Sequence, residues 1–238
     1  MIPVVVFIHG GCWLASLPGV ELMAPLADAL RKQGIAVWNV EYRRVGHEGG
    51  GYPGTFRDVA LGVDHLRTLA AAHHLDLSRV VISGHSAGGH LALWAAARPR
   101  LPRASPLRGD DEPLAVKAVV GLAAIPDLEG FSQYGYACGG KKTVDDLIDA
   151  GARGLPAAYA DTSVAALLPL QVRQVLVTGV FDHIVSPFVA GQYRTRAAAA
   201  GEQVEVVVIP DAGHFEIIAP WTDAWKTVAQ VYETALAK

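Results

Sequence analysis

The sequence is poor in cysteine and has no long hydrophobic run. Only two of its 238 residues are cysteines. Cys12 and Cys138 are too few for a disulfide framework and lie at no metal-ligand spacing, so we expect two free thiols in a reducing compartment. The apolar run at the N-terminus is about eight residues long and has no basic segment before it, which predicts a buried strand rather than a signal peptide. No other apolar run approaches membrane-spanning length, and we expect a soluble cytoplasmic protein.

The sequence also lacks an excess of positive charge. Its formal net charge is −3, which gives no electrostatic basis for binding nucleic acid or an anionic membrane. It contains no internal repeat. No histidine pair lies at zinc-ligand spacing, and neither a metal nor an organic cofactor is expected. Apolar residues, in contrast, make up 51% of the chain, enough to bury the core of one domain.

Short β-branched runs alternate with helical patterns, which is typical of βαβ units on a parallel sheet. The predicted strands are Val4–Ile8, Ile35–Val40, Val80–Ser83, Val116–Leu122, Gln174–Thr178 and Val204–Ile209. The predicted helices lie near Val20–Gln33, Thr55–Ala72, Ala87–Ala97, Pro187–Ala200 and Trp221–Ala237. This order predicts an α/β fold, a three-layer α/β/α sandwich with a mostly parallel sheet, in a single domain of residues 1–238. The less regular stretch around 127–170, with a short helix near Thr143–Ala150, is expected to form a small cap over the strand ends.

The segment Gly84-His-Ser-Ala-Gly88 lies between a predicted strand and a predicted helix, the context that the G-x-S-x-G motif requires. A turn this tight brings the two backbones together, so side chains at the flanking glycines would clash. The turn also holds the Ser86 hydroxyl at the positive end of the helix dipole. We predict that Ser86 is a nucleophile; the alternative is an ordinary strand-to-helix turn. His85 and His90 are interpreted as turn and helix positions.

The segment His9-Gly-Gly-Cys-Trp13 directly follows the first predicted strand. Glycines let the backbone approach a reacting carbonyl group, whose developing oxyanion needs N–H donors at a fixed point. The predicted donors are the N–H groups of Gly11 and Cys12, together with that of Ala87, the residue after the serine. We expect His9 to brace the loop through a hydrogen bond. The alternative is a plain strand-to-loop turn.

A carboxylate and an imidazole follow in the chain order that this architecture requires. Asp182 comes just after the fifth predicted strand and His214 just after the sixth, at the strand ends where open α/β sheets build their sites. A serine hydroxyl is a weak nucleophile, so His214 has to remove its proton and Asp182 has to orient the imidazole. Asp127 and Asp211 remain alternative acids. His183 is interpreted as an ordinary loop residue.

With these motifs the sequence resembles the α/β-hydrolase fold, and within it the esterase branch that carries H-G-G-x-W together with G-H-S-A-G-G-H-L-A. This branch includes carboxylesterases, relatives of hormone-sensitive lipase and serine-type kynurenine formamidases. The resemblance runs from Val4 to the last helix and includes Asn39–Arg43 and Gly213–Ile218. It implies the nucleophile, acid, base and oxyanion loop named above.

The chain departs from this branch in two places. After Tyr42-Arg43 it continues Arg-Val-Gly-His-Glu-Gly-Gly-Gly instead of the Leu-Ala-Pro-Glu type run of hormone-sensitive-lipase relatives, which favours the small formamidase-like esterases. It also opens on what corresponds to the third strand of the fold, so either the start lies upstream or the sheet is truncated. A truncated sheet would expose Ile35–Val40 as an edge, and we then expect a homodimer or an aggregation-prone monomer.

The sequence therefore predicts a serine hydrolase that cleaves short-chain carboxylic esters of small molecules through an acyl-enzyme. Hydrolysis of an aromatic formamide, as by an arylformamidase, is the first alternative, and a non-catalytic ligand-binding member of the fold is the second. A cap rich in alanine and glycine favours short acyl chains. Trp13, Phe181, Phe215 and Trp221 are predicted to line an apolar substrate pocket; the alternative is that they belong to the core.

Overall fold

A six-stranded sheet forms the centre of the computed structural model, which describes residues 1–237. The strands are β1 (Ile2–Ile8), β2 (Ala36–Val40), β3 (Leu75–His85), β4 (Ala118–Leu122), β5 (Arg173–Gly179) and β6 (Val204–Ile209). Their order is β2-β1-β3-β4-β5-β6, and every neighbouring pair is parallel. The chain runs from β1 to β2 on one side and then crosses to β3 on the other side of β1. The carboxyl ends of β1 and β3 therefore form a topological switch point, where such sheets bind ligands.

Helices connect the strands and cover both faces of the sheet. They are α1 (Ala24–Lys32), α2 (Gly54–Asp64), α3 (Leu66–Ala70), α4 (Ala87–Ala97), α5 (Leu128–Ser132), α6 (Gly140–Ile148), α7 (Ala150–Arg153), α8 (Leu155–Ala160), α9 (Pro187–Ala199) and α10 (Ala224–Leu236). None of the described helices is both long enough and apolar enough to cross a membrane.

Two consecutive residues of β3 show how the layers are arranged, because neighbouring side chains on a strand point to opposite faces. The Ser83 hydroxyl lies 2.7 Å from the hydroxyl of Tyr232 in α10. A Cβ atom on Gly84 would lie 2.1 Å from the carbonyl oxygen of Gly88 in α4. Helices α10 and α4 thus lie on opposite faces, which confirms the predicted three-layer α/β/α fold. Every residue of α4 is buried, since this helix packs against the sheet on one side and α2 on the other.

All six predicted strands are present, and the largest difference in their ends concerns β3. It begins at Leu75 rather than at Val80. The polar residues Asp76 and Ser78 make this stretch resemble a turn in the sequence. In the structure the Asp76 carboxylate accepts hydrogen bonds from the Ser78 hydroxyl and from the Arg79 guanidinium, at 2.6 and 2.7 Å. These bonds satisfy the polar groups within the strand, and the strand continues through them.

Three predicted helices also differ in their ends. The helix expected near Thr55–Ala72 is divided at His65 into α2 and α3. The helix expected near Val20–Gln33 starts as one 3₁₀ turn, Val20–Met23, before α1. The helix expected near Trp221–Ala237 begins only at Ala224.

Residues 127–170, called the cap segment below, contain the four short helices α5 to α8. A buried carboxylate fixes part of this segment to the rest of the protein. Asp161 accepts hydrogen bonds from Arg153 and from Ser105, both at 2.6 Å. The indole N–H of Trp94, in α4, donates to the Asp161 carbonyl oxygen at 2.8 Å. The cap segment is therefore bonded to the helix that follows Ser86.

Strand β2 is one edge of the sheet, because within residues 1–237 it pairs only with β1. Its register with β1 runs from Val4 opposite Ala36 to Ile8 opposite Val40. Within the described residues β2 is thus an edge strand, and Ala36–Asn39 are partly buried. The homodimer expected from it stays a prediction.

Candidate active site

Ser86 occupies the turn between β3 and α4, with φ 55° and ψ −121°. This left-handed conformation is unfavourable for a residue with a Cβ atom, and it persists only where the surroundings enforce it. Here the enforcing contact is the close packing of two glycines. A Cβ on Gly84 would lie 2.1 Å from the carbonyl oxygen of Gly88, so no other residue fits. The flanking glycines have the role that the sequence predicts for them.

The loop after β1 lies directly against this turn. A Cβ on Gly88 would lie 2.1 Å from the Ile8 carbonyl oxygen and 2.3 Å from that of His9. A Cβ on Gly10 would lie 3.4 Å from the Cβ of Ser86. The two glycine-containing segments that the sequence singles out are therefore packed together at the switch point of the sheet.

The segment His9–Trp13, called the oxyanion loop below, turns its backbone in an unusual way. Gly11, Cys12 and Trp13 have φ values of 101°, 48° and 58°. Within residues 1–237 the N–H groups of Gly11 and Cys12 donate to no other backbone group. Ala87 is the first residue of α4, so its N–H has no acceptor within the helix. All three predicted donors are thus free of backbone partners.

Side chains at both ends brace the oxyanion loop. The His9 imidazole lies 2.8 Å from Glu41 through Nε2 and 2.7 Å from the Gly10 carbonyl oxygen through Nδ1. The bracing hydrogen bond expected for His9 is thereby confirmed. At the other end, the indole N–H of Trp13 donates to the Ala87 carbonyl oxygen at 3.1 Å.

Two arginines that follow β2 have structural partners. The Arg43 guanidinium forms a two-pronged ion pair with Asp58, both contacts being 2.8 Å. Arg44 is buried, and one guanidinium nitrogen donates to the Leu17 carbonyl oxygen at 2.6 Å and to that of Pro18 at 3.2 Å. Arg44 therefore holds the backbone that follows the oxyanion loop, and Arg43 ties the segment after β2 to α2.

Asp182 and His214 form the pair that the sequence predicts. The Asp182 Oδ2 atom lies 2.7 Å from His214 Nδ1, and both side chains are buried. The other oxygen, Oδ1, accepts the N–H groups of Ile184 and Val185, at 2.8 Å each. Burial raises the pKa of the Asp182 carboxyl. The hydrogen bond and charge of His214 and the two N–H groups outweigh this effect, so its pKa lies below the usual value.

Neither alternative acid has this environment. Asp127 caps α5 by accepting from the Gly130 N–H at 3.2 Å and pairs with Arg196. Asp211 is exposed. The structure thus brings Asp182, and not Asp127 or Asp211, to His214.

Sequence reasoning did not predict the contact between His85 and His214, the candidate base. Its Nε2 lies 2.9 Å from the carbonyl oxygen of His214, and the centroids of the two imidazole rings are 4.4 Å apart. His214 is thereby placed beside the turn that carries Ser86. No hydrogen bond joins the Ser86 hydroxyl to His214 among residues 1–237. Such bonds are often long without substrate and tighten when it binds.

The predicted pocket aromatics divide into two groups. Trp13 has no exposed surface and packs edge-on against His90 and Phe131. It is a core residue in this structure, not one that lines an open pocket. Phe181 and Phe215, by contrast, are 57% and 52% exposed. Phe215 packs edge-on against the His214 ring, with centroids 5.1 Å apart. Trp221 is also exposed.

The prediction of two free thiols is wrong, because Cys12 and Cys138 form a disulfide. The two residues are 126 positions apart, a separation that no local sequence pattern reveals. Disulfides persist in oxidising compartments, so the cysteines do not support the expected reducing compartment. No group of three or more His, Cys, Asp or Glu residues within residues 1–237 is arranged to hold a metal ion.

A separate cavity of about 680 Å³ lies between α2 and the loop 98–113. Neither Ser86 nor His214 lines it. Its charged Arg98 side chain already forms a two-pronged ion pair with Asp64, at 2.7 Å for each contact. This cavity is therefore separate from the Asp–His pair, and the candidate site remains at the switch point of the sheet.

The parallel sheet, the serine turn after β3, the glycine loop after β1 and the buried Asp–His pair in this chain order define the α/β-hydrolase fold. Residues 1–187 match the family model BD-FAE, and the chain belongs to this family. No curated protein sequence matches the chain significantly.

Solved structures with the same fold include three esterases. A truncated carbohydrate esterase from gut microbiota has 19% identity and a TM-score of 0.78, over 100% of this chain and 87% of its own. Inhibited esterase B from Lactobacillus rhamnosis has 20% identity and a TM-score of 0.82, over 98% and 76%. A bacterial heroin esterase has 20% identity and a TM-score of 0.74, over 100% and 76%. The resemblance to α/β-hydrolase esterases is thereby confirmed.

Two buried histidines make the stability of the fold depend on pH. Burial lowers the pKa of His90 to about 4, and burial together with the charge of His214 lowers that of His85 to about 3. An unfolded histidine has a pKa of about 6.5, so below this pH the unfolded chain takes up protons that the folded chain does not. The free energy of unfolding should therefore fall as the pH falls from 6.5 to 5. Each histidine should contribute a slope approaching about 1.4 kcal/mol per pH unit.

Urea unfolding between pH 7 and 5 measures this slope. His90→Gln keeps an N–H donor for the Thr162 carbonyl oxygen, which His90 contacts at 2.8 Å, and should reduce the slope by one histidine's share. The matched control is His73→Gln at an exposed position, which should leave the slope unchanged. An unchanged slope in His90→Gln would contradict the assignment.

Proposed function

We propose that this chain is a serine hydrolase that cleaves short-chain carboxylic esters. The observation that carries the proposal is the juxtaposition, at one switch point, of a strained serine turn, free backbone N–H groups and a buried Asp–His pair. Each part has a separate chemical use in acyl transfer. The esterase names of the similar structures agree with this reaction class.

In the proposed mechanism, His214 removes the hydroxyl proton of Ser86 while the serine oxygen attacks the ester carbonyl carbon. The negative charge that develops on the carbonyl oxygen is stabilised by the N–H groups of Gly11, Cys12 and Ala87. Asp182 keeps the imidazole in the required tautomer and stabilises its positive charge. His214 then gives the proton to the leaving alcohol, and an acyl-Ser86 ester remains.

The second half of the cycle repeats these steps with water. His214 removes a proton from the water molecule, whose oxygen attacks the acyl-Ser86 carbonyl carbon. The same N–H groups hold the second oxyanion. Return of the proton to Ser86 releases the carboxylic acid and restores the starting state.

Two features favour a short acyl group. Ser86 is only 3% exposed. The cap segment is tied to the oxyanion loop by the Cys12–Cys138 disulfide and, through Asp161, to Ser105 and Trp94. A site of this kind leaves little room for a long chain. The exposed rings of Phe181 and Phe215 lie beside Asp182 and His214 in the chain and are proposed to contact the alcohol side of the substrate, which enters from solvent.

The test is the initial rate of hydrolysis of p-nitrophenyl esters from acetate to decanoate, with Ser86→Ala as the blank. We expect turnover that depends on Ser86 and is fastest for the shortest acyl chains. N-formylkynurenine is measured alongside, and faster cleavage of this amide would identify an arylformamidase instead. A fluorophosphonate probe should label Ser86. Absence of both labelling and turnover would contradict the proposal and favour a ligand-binding protein.

A further inference from the structure

The disulfide joins the oxyanion loop to the cap segment. Cys12 lies within the loop, next to Trp13, and Cys138 lies in the 3₁₀ turn Tyr136–Cys138 just before α6. Their Cα atoms are 5.2 Å apart, and both residues are buried. The bond therefore links one of the proposed oxyanion donors to an element that contributes no residue to the Asp–His pair.

Between the two ends of this loop, Cys12 is the one residue whose side chain can anchor the backbone. His9 is anchored to Glu41 at one end, and Trp13 is anchored to Ala87 at the other. Between them lie two glycines and Cys12. The glycines have no side chain. The Leu14 N–H donates to the Gly11 carbonyl oxygen at 2.8 Å, and the Cys12 sulfur is the one side-chain restraint on the peptide unit between Gly11 and Cys12.

The conformation of the loop also needs an external restraint. Cys12 and Trp13 both have positive φ values, 48° and 58°. Such conformations cost residues with a Cβ atom about 1–3 kcal/mol each and persist only where the surroundings hold them. For Trp13 the restraint is its buried ring. For Cys12 the restraints are the disulfide and the hydrogen bond from the Leu14 N–H to the Gly11 carbonyl oxygen, 2.8 Å long, which closes the turn around Cys12 and Trp13.

The other end of the bond is firmly placed. Cys138 is 2% exposed, and its N–H donates to the Gly135 carbonyl oxygen at 3.0 Å. Gly135 in turn donates to the Phe131 carbonyl oxygen at 2.8 Å, and the Phe131 ring packs against Trp13. The helix that follows, α6, buries Val144 and Leu147 completely. Cys138 is thus a fixed point to which Cys12 can be tied.

We propose that Cys138 is a positioning residue, which through its disulfide to Cys12 holds the N–H groups of Gly11 and Cys12 at the oxyanion. The proposal rests on the serine-esterase function proposed above. Because an oxyanion exists only in the transition state and the tetrahedral intermediate, loss of the tether should lower kcat and leave KM nearly unchanged. Removal of one oxyanion donor lowers kcat by about 10²–10³. Displacing the donors without removing them should lower kcat by about 10- to 100-fold.

The experiment compares Cys138→Ala with the wild-type protein on p-nitrophenyl acetate. It also measures inhibition by a trifluoromethyl ketone, which adds reversibly to a serine and places an oxyanion among the donors. We expect kcat to fall and the inhibition constant to rise by the same factor, with little change in KM. The double variant Cys12→Ala/Cys138→Ala should show no further loss, because the bond is already absent.

Arg153→Ala is the matched control for stability. Arg153 forms a 2.6 Å ion pair with Asp161 inside the cap segment, and its hydrogen bonds, all to residues 148–161, do not reach the oxyanion loop. Its loss should lower the melting temperature and leave kcat and the inhibition constant unchanged. If Cys138→Ala behaves in the same way, the disulfide only stabilises the fold and the proposal is wrong.

Reduction of the wild-type protein gives a second measurement that does not depend on a variant. Dithiothreitol transfers two electrons and two protons to the disulfide and is itself oxidised to its cyclic disulfide. The two thiols that form are counted with a thiol reagent. The expected fall in kcat should be reversed by oxidised glutathione. If the reduced protein keeps full kcat, the proposal is overturned. If the oxidised wild-type protein neither turns over an ester nor labels with a fluorophosphonate, the proposed function fails instead.

Discussion

Asp182→Asn should lower kcat/KM by about 10⁴-fold while leaving the fold intact. The reason lies in the partners of the two carboxylate oxygens. Oδ1 accepts two backbone N–H groups, those of Ile184 and Val185, whereas Oδ2 faces His214 Nδ1. The carbonyl oxygen of an asparagine would stay with the two N–H donors, since its NH₂ group can accept nothing. The NH₂ group would then face Nδ1 and force the proton of the neutral imidazole onto Nε2.

A histidine protonated at Nε2 cannot remove the proton of Ser86, so the variant would lose its general base. Steady-state kinetics on p-nitrophenyl acetate measures the effect, and circular dichroism checks that the protein is folded. Asp127→Asn and Asp211→Asn are the matched controls, because both residues follow strands but neither forms a hydrogen bond or ion pair with His214. Each should keep kcat/KM within a few-fold of the wild-type value. A large loss of kcat/KM in either control, with a small loss in Asp182→Asn, would show that Asp182 is not the acid.

Those features of the fold that depend on local patterns could be predicted from the sequence. Runs such as Val4–Ile8 and Val204–Ile209 are short, β-branched and bounded by turn residues. A run of this kind favours a strand through its own residues, independently of contacts with distant parts of the chain. The serine turn is equally local, because its glycines and the strand and helix beside it lie within a few residues of one another. Asp182 and His214 follow from chain order, given that both come after strands.

Contacts between distant parts of the chain could not be predicted in this way. The Cys12–Cys138 bond, the contact of His85 with the His214 carbonyl oxygen and the burial of Trp13 all depend on how the cap segment and the last loop fold back on the sheet. Residue type even favoured the opposite interpretation, since two cysteines and a tryptophan beside a site suggest free thiols and a pocket wall. The start of β3 was missed because the bonds that satisfy Asp76 come from neighbouring side chains, which a polarity pattern does not show.

Gly88→Ala should destabilise the protein by about 3 kcal/mol or more, although alanine is the better helix former. A Cβ at this position would lie 2.1 Å from the carbonyl oxygen of Ile8 and 2.3 Å from that of His9. Both atoms belong to the backbone at the end of a central strand, so neither can move away without shifting β1. The added methyl group would push the oxyanion loop away from Ser86, and any folded fraction should label poorly with a fluorophosphonate.

Gly191→Ala, within α9, is the control that separates this steric effect from helix propensity. A Cβ on Gly191 would meet nothing within 4 Å, so this substitution should stabilise the protein by about 0.5–1 kcal/mol. Urea unfolding of the two variants measures the difference. If Gly88→Ala were as stable as the wild-type protein, the approach of β1 to the serine turn would be looser than the structure shows. The close approach of the oxyanion loop to Ser86 would then be unexplained, because the contact of Gly88 with the end of β1 sets the distance between the loop and the serine.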